Sequence, residues 1–505
     1  MYRRKELCRS LQAAQIRYRG AQSIARQERQ GFGSFHSRDI EEMIHDNQPP
    51  HIFPMINATT LDRVHEIVSS VTNTSDNGDV GSSSDIYGAN LRGSGLFELE
   101  KKWVFLNHGA FGGALTPLLE EAERWRRRCE SQPLRFFDRE LLPMVAYSIR
   151  QMASHVNCPV DELYPLPNVT TGLNAVINSL ELQPDDIVCY LSITYGSTKK
   201  IISEVCGRTG AKVHLVNLPL PILSKAHLVE TLRTSLKSLE PKVPKAIIVD
   251  QITSNTALKL PLEDISEVCR NLGLKVIIDG AHALNMEHVN IYSRKTNSGV
   301  DDGIPISEVA DYWIGNCHKW LCAPKGAAFM WCRKGLNVRP RVISHGFIDG
   351  GSKMLSAFSW DGCRDYASLL TIPSTLQCWN EVLTKSTVYN RQLLLRAREL
   401  LHNDWDVDIR EVPCQDDELL PNSMCLVPLP SRLRSYQQLR DSPLPQMIPT
   451  DAEAFRLQEL LHHTYRIEVP VKCLEGRLYV RISCHIYNHI QEYEHLSSVI
   501  QRLMG

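Results

Sequence analysis

In the stretch "ADYWIGNCHKWLCAPKG" (310–326), Lys319 stands between His318 and Trp320 at the end of an apolar run. An ammonium set among indole, imidazole and cysteine loses hydration. Its pKa falls, and the free amine becomes a nucleophile and a base. Forty residues upstream, Asp279 closes the apolar run "KVIID" and is followed by Gly280, Ala281 and His282. Singly, each residue has an ordinary reading: a solvated lysine, or an aspartate capping a turn. Together they are an amine and a carboxylate, each just beyond a buried strand.

Other residues follow the same rule of position. "PNVTTGLNAVINSL" (167–180) puts Thr170, Thr171 and Gly172 at the start of an apolar-periodic helix. Free N–H groups and hydroxyls there hold an anion or cap the helix. Tyr195, in "ITYGSTKK", offers a face for stacking on a flat ring. Thr253 and Ser254 follow "AIIVDQI". Arg481, in "VRISCHIYN", offers a planar fork that grips a carboxylate with two hydrogen bonds, or forms a surface ion pair. Pyridoxal phosphate chemistry requires a lysine for a Schiff base and a carboxylate on the pyridinium nitrogen. Lys319 and Asp279 supply that pair.

The elements that must position these residues lie between 160 and 335. Six apolar runs read as strands: "DIVCYLSI" (186–193), "AKVHLVNLPL" (211–220), "KAIIVDQI" (245–252), "LKVIIDGA" (274–281), "ADYWIGNC" (310–317) and "GAAFMWC" (326–332). Helix-length segments at 198–208, 226–239 and 261–272 separate several of them. Continuous apolarity says that the strands are buried on both faces. Alternation with helices says α/β, with a mostly parallel sheet flanked by helices and ligands beyond the carboxyl ends of its strands. Beyond 365 a long amphipathic helix (387–405), the strand "GRLYVRIS" (476–483) and a closing helix (489–503) read as a smaller α+β domain.

A chain of 505 residues with 43% apolar residues has ample material for such a core, and a net charge of −1 gives no support for nucleic-acid or membrane-surface binding. No apolar run reaches the ~18–20 residues that span a bilayer. The 15 cysteines form no CxxC pair and point to a reducing, cytoplasmic setting without a metal site. Residues 1–29 carry eight Arg/Lys against two acids, which reads as a solvated basic tail, with a mitochondrial transit peptide as the other reading. "NTSDNGDVGSSSDIYGANLRGSG" (73–95) reads as a linker. The expected organisation is a disordered tail and linker over 1–95, a segment packing near the active site over 96–135, a cofactor-binding large domain over 136–364 and a small domain over 365–505.

Eight landmarks in this order resemble the class V aminotransferase superfamily of fold type I pyridoxal phosphate enzymes: "LNHGAFGG" (106–113), "NVTTGLNAV", "TYGSTKK", "DQITSNTALKLP", "DGAHA", "NCHKW", "WDGCRDYASLLTIP" and "RISCHIYN". The resemblance covers about residues 100–500 and is closest to the isopenicillin N epimerase, L-cysteine desulfhydrase and hercynylcysteine sulfoxide lyase group. It implies that Lys319 bonds the cofactor, Asp279 partners its ring nitrogen and His282 contacts its ring hydroxyl. It also implies that Tyr195 stacks on the ring and that Thr170, Thr171, Ser254 and His318 contact phosphate or ring. Arg481 would hold the substrate carboxylate, with Asn107, His108 and Gly109 in a loop beside the substrate. A homodimer is implied as well. Cys363 departs from the threonine that relatives carry there, and a thiol is a weak donor.

The resemblance leaves the reaction open among the fates of an amino acid that has lost its Cα proton. Loss of a β-substituent gives pyruvate and ammonia; reprotonation on the other face gives epimerisation. Desulfurases use a loop cysteine before the carboxylate arginine, and the surroundings of Cys473 do not match. "TYGSTKK" and "RISCHIYN" favour a carbon–sulfur β-lyase. An epimerase, and a cofactor-binding protein without turnover, are the alternatives.

Overall fold

The computed structural model describes residues 40–46, 48–72, 87–292, 305–344, 346, 354–408, 413–431, 433 and 449–504. The basic N-terminus and most of the Gly/Ser-rich stretch lie outside them. A short strand, β1 (Val104–Phe105), precedes the main sheet, which is built from β2 (Leu163–Leu166), β3 (Ile187–Leu191), β4 (Lys212–Val216), β5 (Ala246–Asp250), β6 (Lys275–Asp279), β7 (Tyr312–Asn316) and β8 (Ala328–Cys332). The order is β2-β8-β7-β6-β5-β3-β4. β8 is antiparallel to both β2 and β7, and all the other neighbours are parallel. All six expected strands are present. β2 went unrecognised because Pro165 interrupts a four-residue run. The expectation of two buried faces fails at the edge strand β4, where Val213 and Leu215 are exposed.

A second apolar core is built on β9 (Met424–Pro428), β11 (Val471–Leu474) and β12 (Arg477–Ser483), with helices Ser386–Trp405 and Ile490–Met504. The strand order is β11-β12-β9, antiparallel throughout. β10 (Ile467–Glu468) pairs with β1, which draws residues 104–107 into this lobe. Leu369, Ile372 and Leu376 pack into the first core, so the second begins near Ser386 and not at 365.

The structure also corrects the start of the folded body. Ile40, Ile44, Ile52, Phe53, Val64, Val68, Tyr87 and Leu91 belong to the main core. In the helix Thr60–Thr72, Val64, Val68 and Val71 recur at i, i+4 and i+7, an amphipathic signal hidden among polar neighbours. Arg124 donates to the Ile56 carbonyl at 2.7 Å, and Arg150 to the Met43 carbonyl at 2.9 Å. Val64→Asp, at a fully buried position, is therefore expected to cost on the order of 3 kcal/mol. Denaturant unfolding reads this, and wild-type stability would return the segment to the status of a linker.

All fourteen described cysteines are free. Among the described residues no helix is long and apolar enough to cross a membrane.

Candidate active site

Five of the six strands that run in one direction deliver a candidate residue just beyond their carboxyl ends. β2 leads to the helix Val169–Asn178, β3 to Tyr195, β5 to Ser254, β6 to Asp279 and His282, and β7 to His318 and Lys319. Asn316, the last residue of β7, accepts from the Val169 N–H at 3.1 Å and fixes the start of that helix. A Cβ on Gly172 would lie 2.6 Å from Leu166 and 2.9 Å from Ile314, so glycine permits the close approach. Thr171 donates its hydroxyl to Asn168 at 3.1 Å, which is capping, while Thr170 is exposed at the helix start.

Lys319 is half-buried. Its Nζ lies 3.0 Å from His282 Nε2. Burial pushes its pKa down to about 8, against the pull of Asp279 and Asp250 and with the push of Arg481. Its backbone is held from beneath. A Cβ on Gly112 (φ +69°) would meet the His318 carbonyl at 2.2 Å and Lys319 Cα at 2.8 Å, so only glycine fits there.

Asp279 is buried, and its carboxylate accepts from Thr198 Oγ1 at 3.3 Å and from the Ala281 N–H at 3.1 Å. Asp250 lies in register with it on the neighbouring strand. Burial, and then the charge of Asp279, raise the Asp250 pKa well above the carboxylate range. Burial raises the Asp279 pKa as well, against the pull of the Ala281 N–H, Lys319 and Thr198.

Arg481 is 3% exposed. It donates to the Ser254 carbonyl at 2.6 Å and to Asn107 Oδ1 at 2.9 Å. Asn107 is aimed by its own bond to Glu468 at 2.9 Å. No carboxylate pairs with Arg481 among the described residues, and burial lowers its pKa to about 10. A buried cation without a counter-charge is costly, and a ligand anion would offset that cost.

Two expectations change. His108 is fully buried, with its ring nitrogens on Tyr487 Oη at 2.8 Å and the Lys319 carbonyl at 3.0 Å, so it braces Lys319 and does not face a substrate. Ser254 holds Arg481. His318 keeps a buried Nδ1 without a partner, and burial lowers its pKa to about 4. Tyr195 is 44% exposed, and its backbone N–H donates to Asp250 Oδ1 at 3.3 Å. Arg364, beside the exposed Cys363, is engaged with Asp361 at 2.6 Å.

His108, Cys322 and His485 lie close enough to suggest a metal site. The two rings, however, stack 4.0 Å apart at 13°. Lone pairs in parallel planes do not converge on one ion, and His108 Nε2 already meets a carbonyl, so the cluster reads as packing. The sequence reading missed Thr198 and Asp250. "KAIIVD" ends on an aspartate just as "KVIID" does, and that repeat was the available signal.

Residues 145–360 match the family model "Aminotransferase class-V". This domain of the chain is similar to class-V aminotransferases. The domain's parallel strands carry Tyr195, Ser254, Asp279, His282 and Lys319, while Asn107 and Arg481 reach it from outside. Over 424 residues the chain is 26% identical to a probable chloroplastic L-cysteine desulfhydrase of Arabidopsis thaliana, covering 79% of this chain and 82% of that protein. It is 23% identical to an isopenicillin N epimerase of Amycolatopsis lactamdurans, covering 79% of this chain and 94% of that protein. A solved complex of the cystine C–S lyase C-DES with its product cysteine persulfide has the same fold, with a TM-score of 0.58 at 18% identity over 80% of this chain and 98% of that one.

Proposed function

We propose that this chain is a pyridoxal phosphate-dependent carbon–sulfur β-lyase acting on cysteine or an S-substituted cysteine. One observation carries the reading: the strand ends of the main sheet hold a partly desolvated amine (Lys319) and a buried carboxylate (Asp279), and the second sheet brings in a buried guanidinium without an anion (Arg481). The desulfhydrase relatives support it.

The residues fit the cofactor. Lys319 would bond its aldehyde, Asp279 its ring nitrogen and His282 its ring hydroxyl. Tyr195 would cover its face, and the start of the helix at Val169 with the free nitrogen of His318 would take phosphate or ring contacts. The bound cofactor supplies an electron sink for the pair left when the Cα proton departs. Thr198 and the Ala281 N–H favour the charged form of Asp279 and would hold its carboxylate toward the ring nitrogen. Arg481, set by Asn107 and Ser254, grips the amino-acid carboxylate and turns the Cα–H bond toward Lys319. Lys319 Nζ, released when the substrate amine displaces it from the aldehyde carbon, takes that proton. The C–S bond then breaks, sulfur leaves with its electron pair as thiolate, and water completes the route to pyruvate and ammonia.

Cys473 gives desulfurase chemistry no support: its thiol is directed at the Pro449 carbonyl, 3.1 Å away. Product analysis tests the reaction. L-cysteine or an S-substituted cysteine should give equal amounts of pyruvate and ammonia with release of sulfide or thiol. Inverted amino acid without pyruvate would favour the epimerase instead.

Arg481→Lys should weaken amino-acid binding about tenfold to a hundredfold and leave cofactor retention intact. Spectral titration beside a retention assay checks this, and wild-type affinity would remove Arg481 from the carboxylate role. A homodimer belongs to the same reading. Phe111, the last residue of the short helix His108–Phe111 beside Gly112, is 74% exposed, and Leu134 is 50% exposed; a second copy would cover such surface. Sedimentation should give twice the chain mass, and a monomer would count against it.

A further inference from the structure

Trp320 is 1% exposed, and its indole N–H donates to His282 Nδ1 at 3.2 Å. An indole nitrogen only donates, so Nδ1 must accept. A neutral imidazole whose Nδ1 accepts carries its proton on Nε2. His282 is neutral: burial, then the charges of Lys319 and Arg481, push its pKa well below the usual value. That Nε2 lies 3.0 Å from Lys319 Nζ. A donor in that position is met by the lone pair of an amine and opposed by the hydrogens of an ammonium.

We propose that Trp320 is a positioning residue that fixes His282 as a donor toward Lys319 and thereby holds Lys319 as the neutral amine. The indole cannot readily turn away. Its ring packs with Ile252, Ala257, Met286 and Met424, and Asn285 donates to the Trp320 carbonyl at 3.0 Å. The remaining groups facing Lys319 divide. Asp279 and Asp250 favour the ammonium, and Arg481 opposes it. His318, neutral beside Lys319, supplies no counter-charge. The Trp320–His282 pair thus works against the pull of Asp279 and Asp250.

The experiment follows Lys319 in the full-length protein freed of cofactor. Reductive methylation with formaldehyde and cyanoborohydride across pH, read by mass at the Lys319 peptide, gives the midpoint at which the amine becomes reactive. The wild-type midpoint should fall near 8, where burial places the amine. Trp320→Phe should raise it by on the order of one pH unit. In a His282→Gln background, whose amide donates regardless of Trp320, the same substitution should have little effect. Should Trp320→Phe fold poorly, benzothienylalanine at 320 keeps the ring shape and lacks the N–H, and it should give the same rise. An unchanged midpoint, or an equal shift in both backgrounds, would overturn the proposal. The readout needs no turnover, so its failure and the failure of the β-lyase reading are distinguishable.

Discussion

Lys319→Ala is expected to abolish turnover while leaving a folded protein that still takes up cofactor without a covalent bond. The amine has two tasks in this site, holding the cofactor and carrying the Cα proton. His282, whose Nε2 lies 3.0 Å from Lys319 Nζ, is held neutral with its Nε2 proton in place. Loss of a positioned base alone costs about 10²–10⁴-fold, and the loss here should reach the upper end or beyond. Initial rates with an S-substituted cysteine, beside circular dichroism, read the result. A variant within tenfold of wild type would show that proton transfer lies elsewhere.

Asp279→Asn is the second large effect. The amide keeps the size of the side chain and can still accept from Thr198 or the Ala281 N–H, so folding and some cofactor retention should persist. What it lacks is charge. That charge matters most as electrons move toward the ring, so turnover should fall on the order of 10²-fold or more, with a smaller change in cofactor affinity. Asp250 is not expected to rescue it: burial raises its pKa, and its Oδ1 accepts from the Tyr195 N–H. Near-normal turnover would remove Asp279 from its role.

The strand-end residues were legible in the sequence because buried parallel strands are continuous apolar runs, and the residues after them stand out. Lys319, Asp279 and His282 came from that rule, and the sheet came with them. What the sequence hid is contact between distant segments. Asn107 meets Arg481 only because β1 pairs with β10, and a two-residue strand leaves no pattern. Gly112 reads as one glycine among many until its missing Cβ is seen to face the Lys319 backbone. His108 matched a substrate loop by motif, yet its ring turns under the site. The helix Thr60–Thr72 did carry a helical period, but its polar surroundings suggested a linker.

The most direct measurement of the central claim is borohydride reduction of the cofactor-loaded protein followed by peptide mapping. The account predicts that visible absorbance disappears and that a single cofactor adduct is found on Lys319. An adduct on another lysine, or no adduct on a protein that retains cofactor, would contradict it.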